Sequence, residues 1–171
     1  MLNSPHVVKC LLPKYFKQTK IYTFGDVELL NLMSNKIKVI QISDNEFWVG
    51  NNRTSFIDGD IIYVIAYGEQ TDEQAALQIE INNRLTENAE GKICYLIDLN
   101  HCGKNSPGAR ATWLKISEDN KTGCVAIFGI HPVAKVIATF VMRLSKRENM
   151  RFFNTKEKAL EWIVSMKNFN L

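Results

Sequence analysis

The side chains with chemical potential gather in two loop-rich stretches, Asp98-Leu-Asn-His101 through Ser106-Pro-Gly-Ala-Arg110, and Gly129-Ile-His-Pro132 through Lys135. Ser106 precedes Pro107, so it sits where a helix N-cap belongs, and its hydroxyl can satisfy one of the helix's orphan amides. The same place suits a phosphoacceptor, because a phosphate there meets free N–H groups and the positive end of the helix dipole. Arg110 falls one turn on and could reach such a group. Asp98 ends an apolar run and could serve as a carboxylate or simply bind loop amides. His101 and His131 read as loop residues able to titrate near neutrality, and Lys135 adds a cation. No spacing pairs either histidine with a nucleophile, no two carboxylates are spaced for acid–base work, and no GxGxxG, P-loop, HExxH or GxSxG motif occurs. Catalysis is therefore not expected. An enzyme using His101 or His131 would need one of them within hydrogen-bonding reach of Asp98 or Ser106.

These residues need strands and helices to hold them. Ile37–Ile42, Glu46–Val49 and Thr54–Ile57 read as strands, with turns at Asn51-Asn52 and Asp58-Gly59. Ile61–Tyr67, Ile93–Ile97 and Cys124–Phe128 are apolar without alternation, as in strands covered on both faces. Between them come helix signatures. Thr71 with Gln74 forms a capping-box pattern ahead of a Leu77, Ile81, Leu85 stripe. Ser106-Pro107 opens a helix with Ala109, Trp113 and Ile116 on one face. Pro132 opens another, whose stripe is Val133, Val136, Ile137, Phe140, Val141 and Leu144. A strand at Met150–Phe153 and a Thr155-capped helix through Ile163 follow, and Asp26–Met33 fits a short helix. Alternation of strands and helices implies an α/β fold with a mixed, mostly parallel sheet. In such sheets the strand C-terminal ends are the usual place for a site. The expected division is a β-containing extension over 1–50 and one domain over 51–171.

Composition excludes several classes. The 171 residues are 46% hydrophobic and 23% charged, enough for one real core. A net charge of +3 with scattered Lys and Arg does not resemble a nucleic-acid surface, and the short Arg143–Arg147 group reads as a solvated helix end. Of four cysteines, none makes a CxxC pair or stands at zinc-finger spacing from a histidine, so no metal or other cofactor is expected. Cys94 and Cys124 read as small core residues. The short N-terminal apolar run is broken by Lys9, and no stretch approaches the ~20 apolar residues of a membrane span. A reduced, cytoplasmic setting is the expectation. Trp48, Trp113 and Trp162 each lie in an amphipathic element and read as packing residues.

Residues from about 54 to 167 resemble the SpoIIAA-like, or STAS-like, domains, a group related in fold to SEC14-type lipid binders. The resemblance is carried by Asp98-Leu99, Ser106-Pro-Gly-Ala-Arg110, Ala126-Ile-Phe128, Val136-Ile-Ala-Thr-Phe-Val-Met-Arg143 and the ending Arg151-Phe-Phe-Asn-Thr-Lys-Glu-Lys-Ala-Leu-Glu-Trp-Ile163. It implies a small regulatory or protein-binding module rather than an enzyme. In anti-sigma-factor antagonists of this type a serine opening the second helix is phosphorylated by a partner kinase, and Ser106 matches that position. Where those antagonists carry an Asp-Ser-Ser-Gly-like turn, this chain reads Asn105-Ser106-Pro107-Gly108. The expected partner is another protein, bound at the edge built from 100–110 and 129–135, or a second copy forming a homodimer. The alternative implied by the SEC14 relationship is a fatty or isoprenoid chain held between the 133–144 helix and the sheet, which requires an apolar cavity of roughly 300 Å³ or more.

Overall fold

The computed structural model describes residues 37–132, 135, 136, 139, 143 and 149–169. Seven strands form one sheet in sequence order: β1 Val39–Ser43, β2 Glu46–Val49, β3 Asn52–Ile57, β4 Ile61–Gln70, β5 Ile93–Asn105, β6 Thr122–Phe128 and β7 Met150–Phe153. Neighbours β1 to β4 pair antiparallel and β4 to β7 pair parallel. The helices are α1 Asp72–Leu85, α2 Pro107–Glu118 and α3 Lys156–Phe169. Pro132, Lys135, Val136, Thr139 and Arg143 are also helical. This is the α/β architecture expected from the alternation of strands and helices. The residues of the 1–50 segment that are described add β1 and β2 to the same sheet. The expected helix over Asp26–Met33 and Cys10 lie outside the described residues. So do Val133, Ile137, Phe140, Val141 and Leu144 of the 133–144 stripe. Its one described member, Val136, is 70% exposed and not packed on the sheet.

Local chemistry explains the elements. Asp58 and Gly59 both have positive φ, 56° and 76°, which turns the chain tightly between β3 and β4. Thr71 caps α1, its Oγ1 accepting from the Gln74 amide at 3.2 Å. The capping box is only half made, because the Gln74 side chain donates instead to the Val49 carbonyl at 3.2 Å and ties α1 to β2. Asn52 is not a turn residue: it opens β3 and is fully buried. Thr155 caps α3 through the Lys158 amide.

Helices α1 and α2 cover one face of the sheet, where Leu77, Ile81 and Leu85 meet Phe47, Val64 and Val125. Helix α3 covers the other, setting Ala159 and Ile163 on Leu96, Cys124, Ala126 and Phe128. Cys94 and Cys124 face each other across β5 and β6 as free, buried thiols. The hydrogen bond with Cys94, reinforced by burial, pushes the Cys124 thiol well above its ordinary value. Among the described residues no helix is long and apolar enough to cross a membrane.

Candidate functional site

Strand β5 decides where the site residues lie. It pairs with β6 only as far as Asp98, opposite Phe128, but continues along β4 to Asn105, opposite Gln70. Glycine permits this extension: a Cβ on Gly103 would lie 3.0 Å from the Gly68 carbonyl carbon, so Gly103 lets the strands come this close, while Gly68 supplies a φ of 60° opposite it. His101 therefore belongs to a strand and not to a loop. Its exposed ring stacks on Tyr67 with centroids 5.2 Å apart and planes within 6°. Tyr67 in turn meets Trp48 at 6.0 Å.

The extension separates the expected edge into two clusters. Five residues of strand, a span of about 20 Å, divide Asn100 from Ser106. At the first cluster Asp98 Oδ1 accepts from the backbone and side-chain amides of Asn100, both at 2.8 Å. Asn100 Oδ1 then accepts from the Ile130 amide at 2.9 Å. Asp98 is thus a loop-fastening carboxylate. His131, Lys135 and Val136 follow on the exposed segment beyond Ile130, which is itself 73% exposed.

The second cluster joins two helix N-termini. The Ser106 amide donates to the Gln70 carbonyl at 2.9 Å, which closes the β4–β5 ladder beside the start of α1. Ser106 Oγ accepts from the Ala109 amide at 3.1 Å, as an N-cap does, and donates to Asp72 Oδ1. Asp72 Oδ1 also accepts from the Ala109 amide at 3.2 Å. One carboxylate on α1 therefore shares the cap of α2. Gly108 makes room for it, since a Cβ there would collide with the Asp72 carboxylate. Arg110 Nη1 donates to the Asn105 carbonyl at 2.6 Å, and Trp113 Nε1 to Asn105 Oδ1 at 3.1 Å. The structure brings Ser106 and Arg110 together, as their spacing suggests, and leaves His131 and Lys135 with the other cluster. Asp72 escaped the sequence reading: as a first-turn acid it looked like an ordinary helix-start residue, and nothing local points it at a helix 34 residues on.

Trp113 also walls an apolar cavity of about 60 Å³ beneath α2, with Val64, Leu99, Cys102, Ile127 and Met150. That is about a fifth of the volume of the smallest usual ligand pockets. The side chains of α2 and the sheet fill the rest, so this cavity cannot hold a fatty or isoprenoid chain. Most of the 133–144 segment, where that chain was expected to bind, lies outside the described residues.

Several solved structures are similar to this chain, two of them as follows. One is an uncharacterised protein of the DUF3478 family with a SpoIIAA-like fold from Shewanella loihica PV-4, at 20% identity and a TM-score of 0.47, over 74% of this chain and 91% of that one. The other is the anti-sigma factor antagonist SpoIIAA in its unphosphorylated form, at 10% identity and a TM-score of 0.48, over 66% of this chain and 97% of that one. Both are likenesses of fold alone. No curated protein matches the chain. The family model described as "Domain of unknown function (DUF7793)" matches residues 55–167, from the middle of β3 nearly to the end of α3, and the chain belongs to that family.

Proposed function

We propose that the chain is a non-enzymatic protein-interaction module switched by phosphorylation of Ser106. The observation that carries this reading is the shared cap: the Ser106 hydroxyl, at the N-terminus of α2, is bonded to a carboxylate on α1. A phosphate on Oγ brings close to two negative charges. The α2 amides and dipole favour it, but Asp72 opposes it. The Asp72–Ser106 bond breaks, because its donor proton is replaced, and repulsion by the phosphate drives Asp72 off the Ala109 amide as well, so the start of α1 is released from α2. Arg110 can leave the Asn105 carbonyl for the phosphate, since charge-assisted bonds to a dianion are the stronger kind.

The partner surface in this reading is the strand-end edge, with Ser106 and Arg110 in one cluster and Ile130, His131, Lys135 and Val136 in the other. Ile130 and Val136 give it exposed apolar anchors. A standard interface covers about 800 Å² per partner, a patch about 30 Å across, and so spans both clusters. A homodimer would use the same anchors.

The test is peptide mapping by mass spectrometry of the chain isolated from its own cells, followed by hydrogen exchange of the modified and unmodified forms. Phosphate on Ser106, with faster exchange at 72–76 and 107–110, is the expected result. A Ser106 that stays unmodified across growth conditions would overturn the switch. An exchange pattern indifferent to the modification would do the same.

A further inference from the structure

Cys94 and Cys124 are direct partners on the parallel strands β5 and β6, and both side chains enter the layer under α3. They are 4% and 0% exposed. Neighbouring strands run about 4.8 Å apart, which lies inside the range of Cα separations that a disulfide spans. The register adds a second feature. Ile93 pairs with Thr122 and Cys94 with Cys124, so Gly123 is an extra residue in β6. Such a bulge loosens the ladder beside the two thiols, and glycine leaves the backbone there free to shift.

The pair lies near the start of β5, where the cover is thin. The Cys94 amide donates to the Asp60 carbonyl at 2.9 Å, and Lys167 Nζ donates to Asp60 Oδ1 at 2.6 Å. Both of those charged side chains are 30% exposed. Gly123 is half-buried, and a Cβ on it would stand 3.1 Å from Cβ of the exposed Lys92 and 3.5 Å from Cys94 Sγ. Cys94 Sγ is thus about one atom's width from a half-open stretch of backbone. The two sulfurs are also unequal. The Cys124 S–H donates to Cys94, and with the Lys167 charge this holds the Cys94 thiol below its ordinary value despite burial; the opposing Asp60 charge is the weaker influence. The same bond and burial push the Cys124 thiol up.

We propose that Cys94 and Cys124 are a peroxide-reactive dithiol, with Cys94 as the attacking sulfur and Cys124 as the resolving one. The Cys94 thiolate attacks one oxygen of hydrogen peroxide and the O–O bond breaks. Cys94 becomes a sulfenic acid, and the departing hydroxide takes up the proton that Cys94 gave away, leaving as water. The Cys124 sulfur then attacks the Cys94 sulfur, the S–O bond breaks, and a second water leaves with the Cys124 proton. Two thiols are oxidised to one disulfide, and one peroxide is reduced to two waters. Directly opposed strand residues hold their Cβ atoms somewhat wider than the ~3.8 Å of a relaxed disulfide, so the bond is strained and returns readily to two thiols. It closes a loop from 94 to 124 that contains the whole of α2.

Cys102 supplies an internal control. It is buried to the same 4%, but its hydrogen-bond donor is an amide, Asn105 Nδ2 at 3.4 Å, and burial pushes its thiol up. The experiment treats the folded full chain with a small excess of hydrogen peroxide at neutral pH. Remaining thiols are blocked after denaturation, and the chain is digested with trypsin without reductant. Fragmentation mass spectra should show peptide 93–104 joined through Cys94 to peptide 122–135, lighter by two hydrogens and separated by dithiothreitol. The link should form about tenfold or more faster than Cys102 is modified. Cys124→Ser should stop at a Cys94 sulfenic acid that dimedone captures, whereas Cys94→Ser should leave Cys124 unmodified over the same time. The wild-type comparison decides the matter if a serine variant does not fold. Oxidation of Cys94 and Cys102 at one rate would mean that global opening exposes both, and overturns the proposal. A Cys94 that stays a free thiol, or that ends as a sulfinic acid with no link to Cys124, overturns it too.

Discussion

The two faces of the sheet are built on different principles. Under α3 the interior is apolar throughout, with Leu96, Cys124, Ala126 and Phe128 against Ala159 and Ile163. Under α1 the interior holds Asn52, Thr54, Gln70, Gln74, Gln78 and Asn82, all nearly without exposure. The first face is held by area and shape, which tolerate exchange among apolar residues of similar volume. The second has an apolar core as well, around Phe47, Val64, Leu77 and Ile81, but adds a directional network of amides beside it. Such a network stabilises little on balance when complete, yet costs a great deal when one member is removed. It also fixes a single register of α1 over β3 and β4. The candidate site belongs to the same side: the Ser106–Asp72 tie is at the N-terminus of α1.

The sharpest way to break this contrast is to truncate one residue on each face. Asn52→Ala strands the Tyr67 amide, Gln70 and Gln78 together, and should cost about 3 to 5 kcal/mol in denaturant unfolding. Since a whole domain is stable by about 5 to 15 kcal/mol, the variant should be close to unfolding. Leu96→Ala on the other face should cost about 3 kcal/mol through lost burial and the cavity left behind. Leu96→Met should recover most of that loss, whereas Asn52→Leu should recover little, because its former partners remain unsatisfied. Full recovery by Asn52→Leu would mean that shape, not polarity, holds this face as well.

Much of the apolar packing on both faces was legible in the sequence. Unbroken runs such as Cys124–Phe128, too short for a buried helix, read as strands covered on both faces, and the Leu77, Ile81, Leu85 stripe is a helix by period. Ser106-Pro107 declared its cap because that signal is local. The polar side was much less legible. Asn51-Asn52 has the composition of a turn, and only the distant Gln70 and Gln78 make Asn52 a buried strand residue. Gln74 has the capping-box spacing, but its side chain is recruited by β2, which the local pattern does not contain. His101 was read as a loop residue because a strand ending at Ile97 looks complete; the Gly68–Gly103 approach that prolongs it joins positions far apart in sequence. Each of these misreadings involves a long-range polar or backbone contact, and periodicity reports only burial.

A smaller effect tests the network side through pH. Burial, with the Asp119 charge, raises Tyr95 to about 12 in the folded chain, against an ordinary 10.0. Between those values the unfolded chain loses the proton while the folded chain keeps it. Stability is then whole below about pH 10 and falls as pH rises toward 12, by up to about 2 kcal/mol. Tyr63 is raised to about 12 as well, by burial first and Asp98 second, but it is more open to solvent and should contribute less. Tyr95→Phe should flatten most of the alkaline fall measured by denaturant midpoint between pH 9 and pH 12. A slope unchanged from the wild type would place the titrating group elsewhere.

The smallest expected effect concerns the tie between the helices. Ser106→Ala removes an N-cap, a change that ordinarily costs about 1 kcal/mol. Here Asp72 Oδ1 already accepts from the same Ala109 amide, so it can stand in for the lost hydroxyl, and the cost should fall to about 0.5 kcal/mol. Asp72→Ala alone should be similarly mild, because Ser106 still caps. Removing both leaves the Ala109 amide with no side-chain acceptor, so the double variant should lose more than the sum of the two, in a double-mutant cycle by chemical denaturation. Ser106→Asp should behave differently again. It sets a second carboxylate against Asp72, which raises the folded pKa of the pair and makes the variant regain stability as pH falls toward 4. Simple additivity in the cycle, with no acid recovery in Ser106→Asp, would show that Ser106 and Asp72 cap independently, and the start of α1 would then have no special coupling to α2.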